Sequence, residues 1–219
     1  MVRLNDETEV SEKELFKKVI LDELSVKVPA LCKFSQELLE AIPEYFWTEP
    51  ASSSGRHHPE FSRGEGGLAR HSLMVYRWLK MLLEANDQDM SEFVPGMVVA
   101  ALFHDCCKRG LPGSVNLQYT AFEHPLLSAK FLLDKAEQFA KDNKDFLDMA
   151  IEDEDAFKHN MAVAISCIET HMGKWTTSKY SDVTLPKPKS PIQFMVHLAD
   201  YCASRKCTTF DTQAFLQGE

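Results

Sequence analysis

Six residues of this chain are of types that bind divalent metals, and they fall in the order His71, His104-Asp105, His124, His171, Asp200. His104-Asp105 closes the apolar run Val98-Val99-Ala100-Ala101-Leu102-Phe103, and Lys108 follows the aspartate by three residues. An imidazole beside a carboxylate at the end of a buried helix sets borderline and hard ligands side by side, a pairing suited to a divalent metal. Any one of these histidines alone reads as a core residue hydrogen-bonded to a carbonyl. Four histidines and two aspartates, set near the ends of separate helices, are what a metal site in a bundle core needs.

The charged residues around them fit an anionic ligand. Net charge is −9, which argues against a broad nucleic-acid-binding surface. Its distribution is uneven: residues 134–159 hold nine acids and four bases, whereas 171–206 hold six bases and two acids, one of them Asp200. The basic stretch is either a solvated loop or an anion-binding rim. Lys108 lies one turn past Asp105, where it reaches a bound phosphate or caps a helix end. Arg56, His57, His58 and Arg63 sit on the loop before the His71 helix, as a lid or as solvated residues. Lys174 and Arg205 are candidate phosphate contacts, and Trp175 is a candidate stacking surface for a base. His159 and His197 read as structural or exposed.

These residues need helices to position them. Ser11-Glu12-Lys13-Glu14 is a capping box, followed by Leu15, Phe16, Val19 and Ile20 at helical spacing. Pro29 opens a second helix with Leu31, Phe34, Leu38 and Leu39 on one face, and Pro43 limits it. Residues 48–66 read as a loop. A third helix over 67–85 turns Leu68, His71, Val75, Trp78, Leu79 and Leu82 inward. Pro95 starts a fourth that ends at His104-Asp105. Residues 110–120 form a loop, and Pro125 begins a helix to about Lys141. Residues 145–171 are helical with a break near 152–155, and Gly173 caps the end. After a basic loop over 176–189, Ser190-Pro191 opens a last helix to about Lys206.

Strand signals are weak throughout, so the fold class is all-α: one helical bundle with a buried metal site. The organisation expected is N-terminal helices over 1–50 packing on the core, a domain over 51–206 that holds the metal-site residues and a tail over 207–219, together one globular unit. No apolar run is long enough for a membrane span, and the polar, acidic start is not a secretory signal. Six cysteines without a framework pattern read as reduced thiols in a cytoplasmic protein.

The flanking residues carry a resemblance. Gly64-Glu65-Gly66-Gly67-Leu68-Ala69-Arg70-His71 resembles the G-G-L-x-x-H segment of HD-domain phosphohydrolases, and Ala101-Leu102-Phe103-His104-Asp105-Cys106-Cys107-Lys108 resembles their A-L-x-H-D-x-x-K. Glu123-His124-Pro125, Thr170-His171-Met172-Gly173-Lys174-Trp175 and His197-Leu198-Ala199-Asp200-Tyr201 continue the match in order. The likeness spans about 56–206. It is strongest to bacterial and phage HD proteins and to the catalytic domain of HD-type 3′-5′ exoribonucleases, which add an N-terminal OB module that these 219 residues do not accommodate. Cys107 stands where the family often has glycine. The lack of a Gly-Tyr-Pro tripeptide argues against a cyclic-dinucleotide phosphodiesterase of the HD-GYP kind.

The resemblance implies function. The minimal HD nucleotidases use four ligands, here His71, His104, Asp105 and Asp200. His124 and His171 fall in the order of two-metal HD proteins, with Asp105 as the bridge. The implied cofactor is two divalent transition-metal ions (Mn²⁺, Fe²⁺, Co²⁺ or Zn²⁺), and the implied reaction is hydrolysis of a phosphoester or phosphoanhydride in a nucleotide or a short nucleic-acid end. Asp105 and Lys108 are the catalytic candidates. Two alternatives stand beside it: a di-iron HD-type oxygenase acting on a small polyol or phosphonate, and a non-enzymatic nucleotide-sensing domain. The motifs leave the oligomeric state open.

Overall fold

The computed structural model describes residues 10–52, 55, 58–87, 89–114, 119–148 and 151–209, and among these it is helical. The helices are α1 (Glu12–Leu24), α2 (Pro29–Ala41), α3 (Tyr45–Thr48), α4 (Gly67–Glu84), α5 (Val94–Phe103), α6 (His124–Asp142), α7 (Lys144–Asp148), α8 (Ile151–Thr170) and α9 (Pro191–Ala203). None of the described helices is long and apolar enough to cross a membrane.

Local signals set most of the boundaries. Ser11 and Ser190 each form a complete capping box, with Glu14 and Gln193 as the reciprocal partners. Proline stands in the first turn of α2, α5, α6 and α9, where its missing N–H has no helical partner to lose. The region expected as loop over 48–66 holds the end of α3 and a 3₁₀ turn at Glu60–Ser62. The break expected near 152–155 does not fall on those residues: α7 ends at Asp148 and α8 begins at Ile151. Residues 152–155 form the first turns of α8, where carboxylates such as Glu154 and Asp155 suit the positive end of the helix dipole.

α5 is the axle of the bundle. Every residue from Pro95 to Phe103 is buried, because α4, α8 and α9 pack around it and α1 covers its flank. Gly96 permits the tightest contact: a Cβ there would lie 2.5 Å from the Asn160 carbonyl oxygen of α8. The Gly96 N–H donates to Asn160 Oδ1 at 2.9 Å, so the two helices lock at this point. Phe16, Phe46 and Trp47 pack edge to face beneath α5, and Phe34, Phe139 and Phe157 tie α2 to α6 and α8. Leu68, Val75 and Leu79 of α4 are buried as expected, while Trp78 and Leu82 are only partly covered.

The loop entering α4 is held by Arg70. Its guanidinium donates to the carbonyls of Phe61 and Glu65, both at 2.6 Å, and pairs with Glu12 of α1 at 2.5 Å. The turn after α5 is pinned by Tyr45, whose hydroxyl donates to the Gly110 carbonyl at 2.7 Å and accepts from the Arg109 N–H at 3.1 Å. Both clamps hold backbone on either side of the histidine cluster.

Candidate metal centre

The six residues converge. His71 comes from the second turn of α4, and His104 and Asp105 from the C-terminal end of α5. His124 opens α6, His171 follows α8, and Asp200 lies in the last turn of α9. All four histidines and Asp105 are buried to 3% exposure or less. Three overlapping triads have ligand atoms within 4.8 Å of one another: His71-His104-Asp105, His104-His171-Asp200 and Asp105-His124-His171. Asp105 stands in two of them. Its Oδ1 lies 3.0 Å from His124 Nε2 and 3.7 Å from His171 Nε2, while its Oδ2 faces His104 Nε2 at 3.4 Å and pairs with Lys108. Asp200 Oδ1 lies 3.0 Å from His71 Nε2 and 3.8 Å from His104 Nε2.

One local device orients three of the rings. Nδ1 of His104, His124 and His171 faces the carbonyl three residues back, at Ala101 (3.0 Å), Ala121 (2.7 Å) and Ile168 (2.7 Å). A carbonyl only accepts, so each Nδ1 carries a proton, and in its neutral form each ring turns a bare Nε2 lone pair inward. Nε2 of His124 and His171 then meet 3.2 Å apart with no proton between them. His104 Nε2 and Asp105 Oδ1 are buried without a hydrogen-bond partner. Lone pairs and an unsatisfied carboxylate oxygen converging in a buried space are costly unless a cation joins them. The donor set therefore fits divalent metal.

Electrostatics leaves the ligands in metal-ready protonation states. Burial would raise the Asp105 carboxyl, but Lys108 and His104 hold it well below the usual range. Asp200 is likewise lowered against burial, by His71 and His104. Burial pushes His171 down to about 3, helped by His104 and His124. His71 is lowered by burial in spite of Asp200. His104 is the exception: burial lowers it, but Asp105 and Asp200 raise it further. Metal ligands bind as carboxylates and neutral imidazoles, so most of the cluster has no proton to shed.

The cluster opens into a cavity of about 500 Å³. His58, Lys108, Trp175 and Arg205 line it, together with Ser52, Thr120, Met172 and Ser204. Arg63 does not join them. Its guanidinium is spent on the His58 carbonyl, at 2.8 and 2.7 Å, where it clips the loop that carries His58. Lys174 is exposed, with its ammonium 5.2 Å from the Trp175 ring centroid, outside the lining. Arg56 and His57 lie outside the described residues. His58 sits over His71 with ring centroids 5.4 Å apart, its Nδ1 has no partner, and burial pushes it down to about 3.

A family model for the HD domain matches residues 68–205, a span that takes in all six residues. The chain belongs to the HD domain family. That family is of metal-dependent phosphohydrolase type, and its divalent-metal chemistry agrees with the buried His/Asp cluster. No curated protein and no solved structure matches the chain.

His197, read as structural or exposed, is structural here, and Tyr201 has no role in the sequence reading. His197 donates from Nδ1 to the His171 carbonyl at 2.7 Å, and its ring lies where a Cβ on Gly173 would be, 2.1 Å away. Gly173 has φ +62°, so both its conformation and its neighbour require glycine. Tyr201 stacks on Trp175 at 5.9 Å and 13° and carries the Arg205 guanidinium 4.2 Å from its ring. The sequence holds His197 three residues before Asp200, but nothing local says that it braces the loop bearing His171.

Proposed function

We propose that this HD domain is a hydrolase that cleaves a phosphoester or phosphoanhydride in a nucleotide or a short nucleic-acid end, using water and two divalent transition-metal ions. The observation that supports it best is Asp105. Its two oxygens face two sets of histidine nitrogens, and the inner one is buried without a hydrogen-bond partner. His71, His104, Asp105 and Asp200 would hold one ion, and Asp105, His124 and His171 the other. Bound ions of this kind supply a water of lowered pKa and a Lewis acid for the phosphoryl oxygens.

The chain's own residues do the rest. Lys108 pairs with Asp105 and lines the same cavity, so its ammonium can turn from the carboxylate to a phosphate oxygen of the substrate. Arg205 offers a second cation on the cavity wall, and Trp175 a ring face for a base. His58, kept neutral by burial, covers His71 and limits water at that side.

The test is elemental analysis of protein purified without chelator, followed by a nucleotide and oligonucleotide panel in Mn²⁺ or Co²⁺ without oxygen. More than one ion per chain and release of phosphate or nucleoside monophosphate are expected. Asp105→Ala should lose both metal and activity. Full metal content in that variant refutes the ligand set. Silence across the anaerobic panel, with oxygen consumed by the iron-loaded protein on a polyol or phosphonate, replaces the hydrolase by an oxygenase.

A further inference from the structure

Helix α9 carries an apolar face on the side away from the bundle. At 100° per residue, Val196, Ala199 and Ala203 fall on one side and are buried. Phe194, Leu198 and Tyr201 fall on the opposite side and are 54%, 43% and 37% exposed. A surface helix ordinarily turns polar and charged residues that way. Arg205, just past the helix, continues the same line over Tyr201. Trp175 stacks nearly parallel on Tyr201, and Trp175 and Arg205 both line the metal cavity. The exposed track thus begins at the mouth of the site and runs about 10 Å along α9 to Phe194, at 1.5 Å per residue.

Charge identifies what fits it. Lys187 and Lys189 are exposed just before α9, Lys174 is exposed beside Trp175, and Lys206 is exposed after the helix. Along the whole stretch 171–206 the acids are Asp182 and the site's own Asp200, on a chain of net charge −9. A second copy docked here across a two-fold axis would bring the same lysines face to face. Ring faces flanked by cations, leading into a phosphate-cleaving cavity, match a chain of phosphates and bases.

We propose that the α9 face binds a single-stranded oligonucleotide. Bases lie on Phe194, Tyr201 and Trp175, backbone phosphates run along the lysines, and the strand's end enters the cavity. This deepens the preceding reading and rests on it for the fate of that end.

The experiment is fluorescence anisotropy of labelled single-stranded oligonucleotides with phosphorothioate linkages, titrated with the metal-loaded protein at several salt concentrations. Affinity should rise with strand length and fall with salt. Phe194→Ser with Leu198→Ser should weaken binding roughly tenfold. Lys187→Glu with Lys189→Glu should reduce the salt slope by roughly 1.4, about 0.7 for each of two lost phosphate contacts. All four positions are exposed, and the two pairs test the track independently, with circular dichroism to check the fold. Length-independent binding, or unchanged affinity in both pairs, overturns the proposal. A dimer in sedimentation that Phe194→Ser with Leu198→Ser dissolves gives the face to a second copy. Binding of phosphatidylglycerol vesicles without strand binding gives it to a membrane surface. Hydrolysis of mononucleotides without length-dependent binding removes the track and leaves the hydrolase. Length-dependent binding without any hydrolysis does the reverse.

Discussion

Replacing Lys108 with methionine separates two roles that one ammonium combines. The side chain is 13% exposed and paired with an Asp105 that is 3% exposed, so the interaction is shielded from bulk water. Methionine keeps the length and removes the charge. If the ammonium grips a phosphate oxygen during turnover, its loss removes one charge-assisted contact in a shielded site, about 2–3 kcal/mol. That corresponds to a roughly 30- to 150-fold drop in kcat/KM for a phosphorylated substrate. Metal content should move the other way or not at all. Lys108 places a positive charge on the carboxylate that the ions would share, so removing it relieves like-charge repulsion against them. The assay is steady-state hydrolysis paired with metal titration on the same preparation. Unchanged kinetics would reduce Lys108 to a structural partner of Asp105. Lost metal would show that it supports the site rather than the substrate.

Two further outcomes are expected. His124→Ala and His171→Ala should each lower metal occupancy while leaving part of it bound through His71, His104, Asp105 and Asp200; wild-type stoichiometry in both would make the site mononuclear. The chelator-treated protein should lose stability on acidification. Burial pushes His171 and His58 down to about 3 from an ordinary 6.5, so between those values the unfolded chain takes up protons that the folded chain refuses. Each such histidine costs up to about 1.4 kcal/mol per pH unit in that window. Asp105 and Asp200, held low, add their loss only as the pH falls below about 4. Melting temperatures of the metal-free protein from pH 7.5 to 4.5 check this, and a flat profile would refute it.

The fold was legible where the signal was local. The Ser11 and Ser190 capping boxes, the helix-opening prolines and the unbroken apolar run of α5 each act within a few residues, and the helices start or sit where those features fall. The order of histidines and aspartates was legible for the same reason, since each lies at a helix end that its neighbours mark. What stayed hidden depends on distant partners. Tyr45 holds the turn after Asp105 from some sixty residues upstream, and Arg63 donates to the His58 carbonyl of its own loop instead of lining the cavity. The break expected near 152–155 lies a few residues from the start of α8 at Ile151, and Glu154 and Asp155 fall in its first turns, where such charges are favourable. The stacking of Tyr201 on Trp175 joins α9 to the loop before it, and no spacing in either segment announces it.

The backbone carbonyls that turn His104, His124 and His171 have a consequence for how this site can change over evolutionary time. In many metal sites a carboxylate from elsewhere fixes the ligand's tautomer, and a substitution there damages the site from a distance. Here the partner of each ring is the peptide oxygen three residues earlier, which every amino acid supplies. Residues 101, 121 and 168 can therefore vary in type, within the limits of packing, without disturbing the ring's proton. Substitution on the cavity walls and rim can change which molecule enters while the orientation of these three rings stays with the main chain.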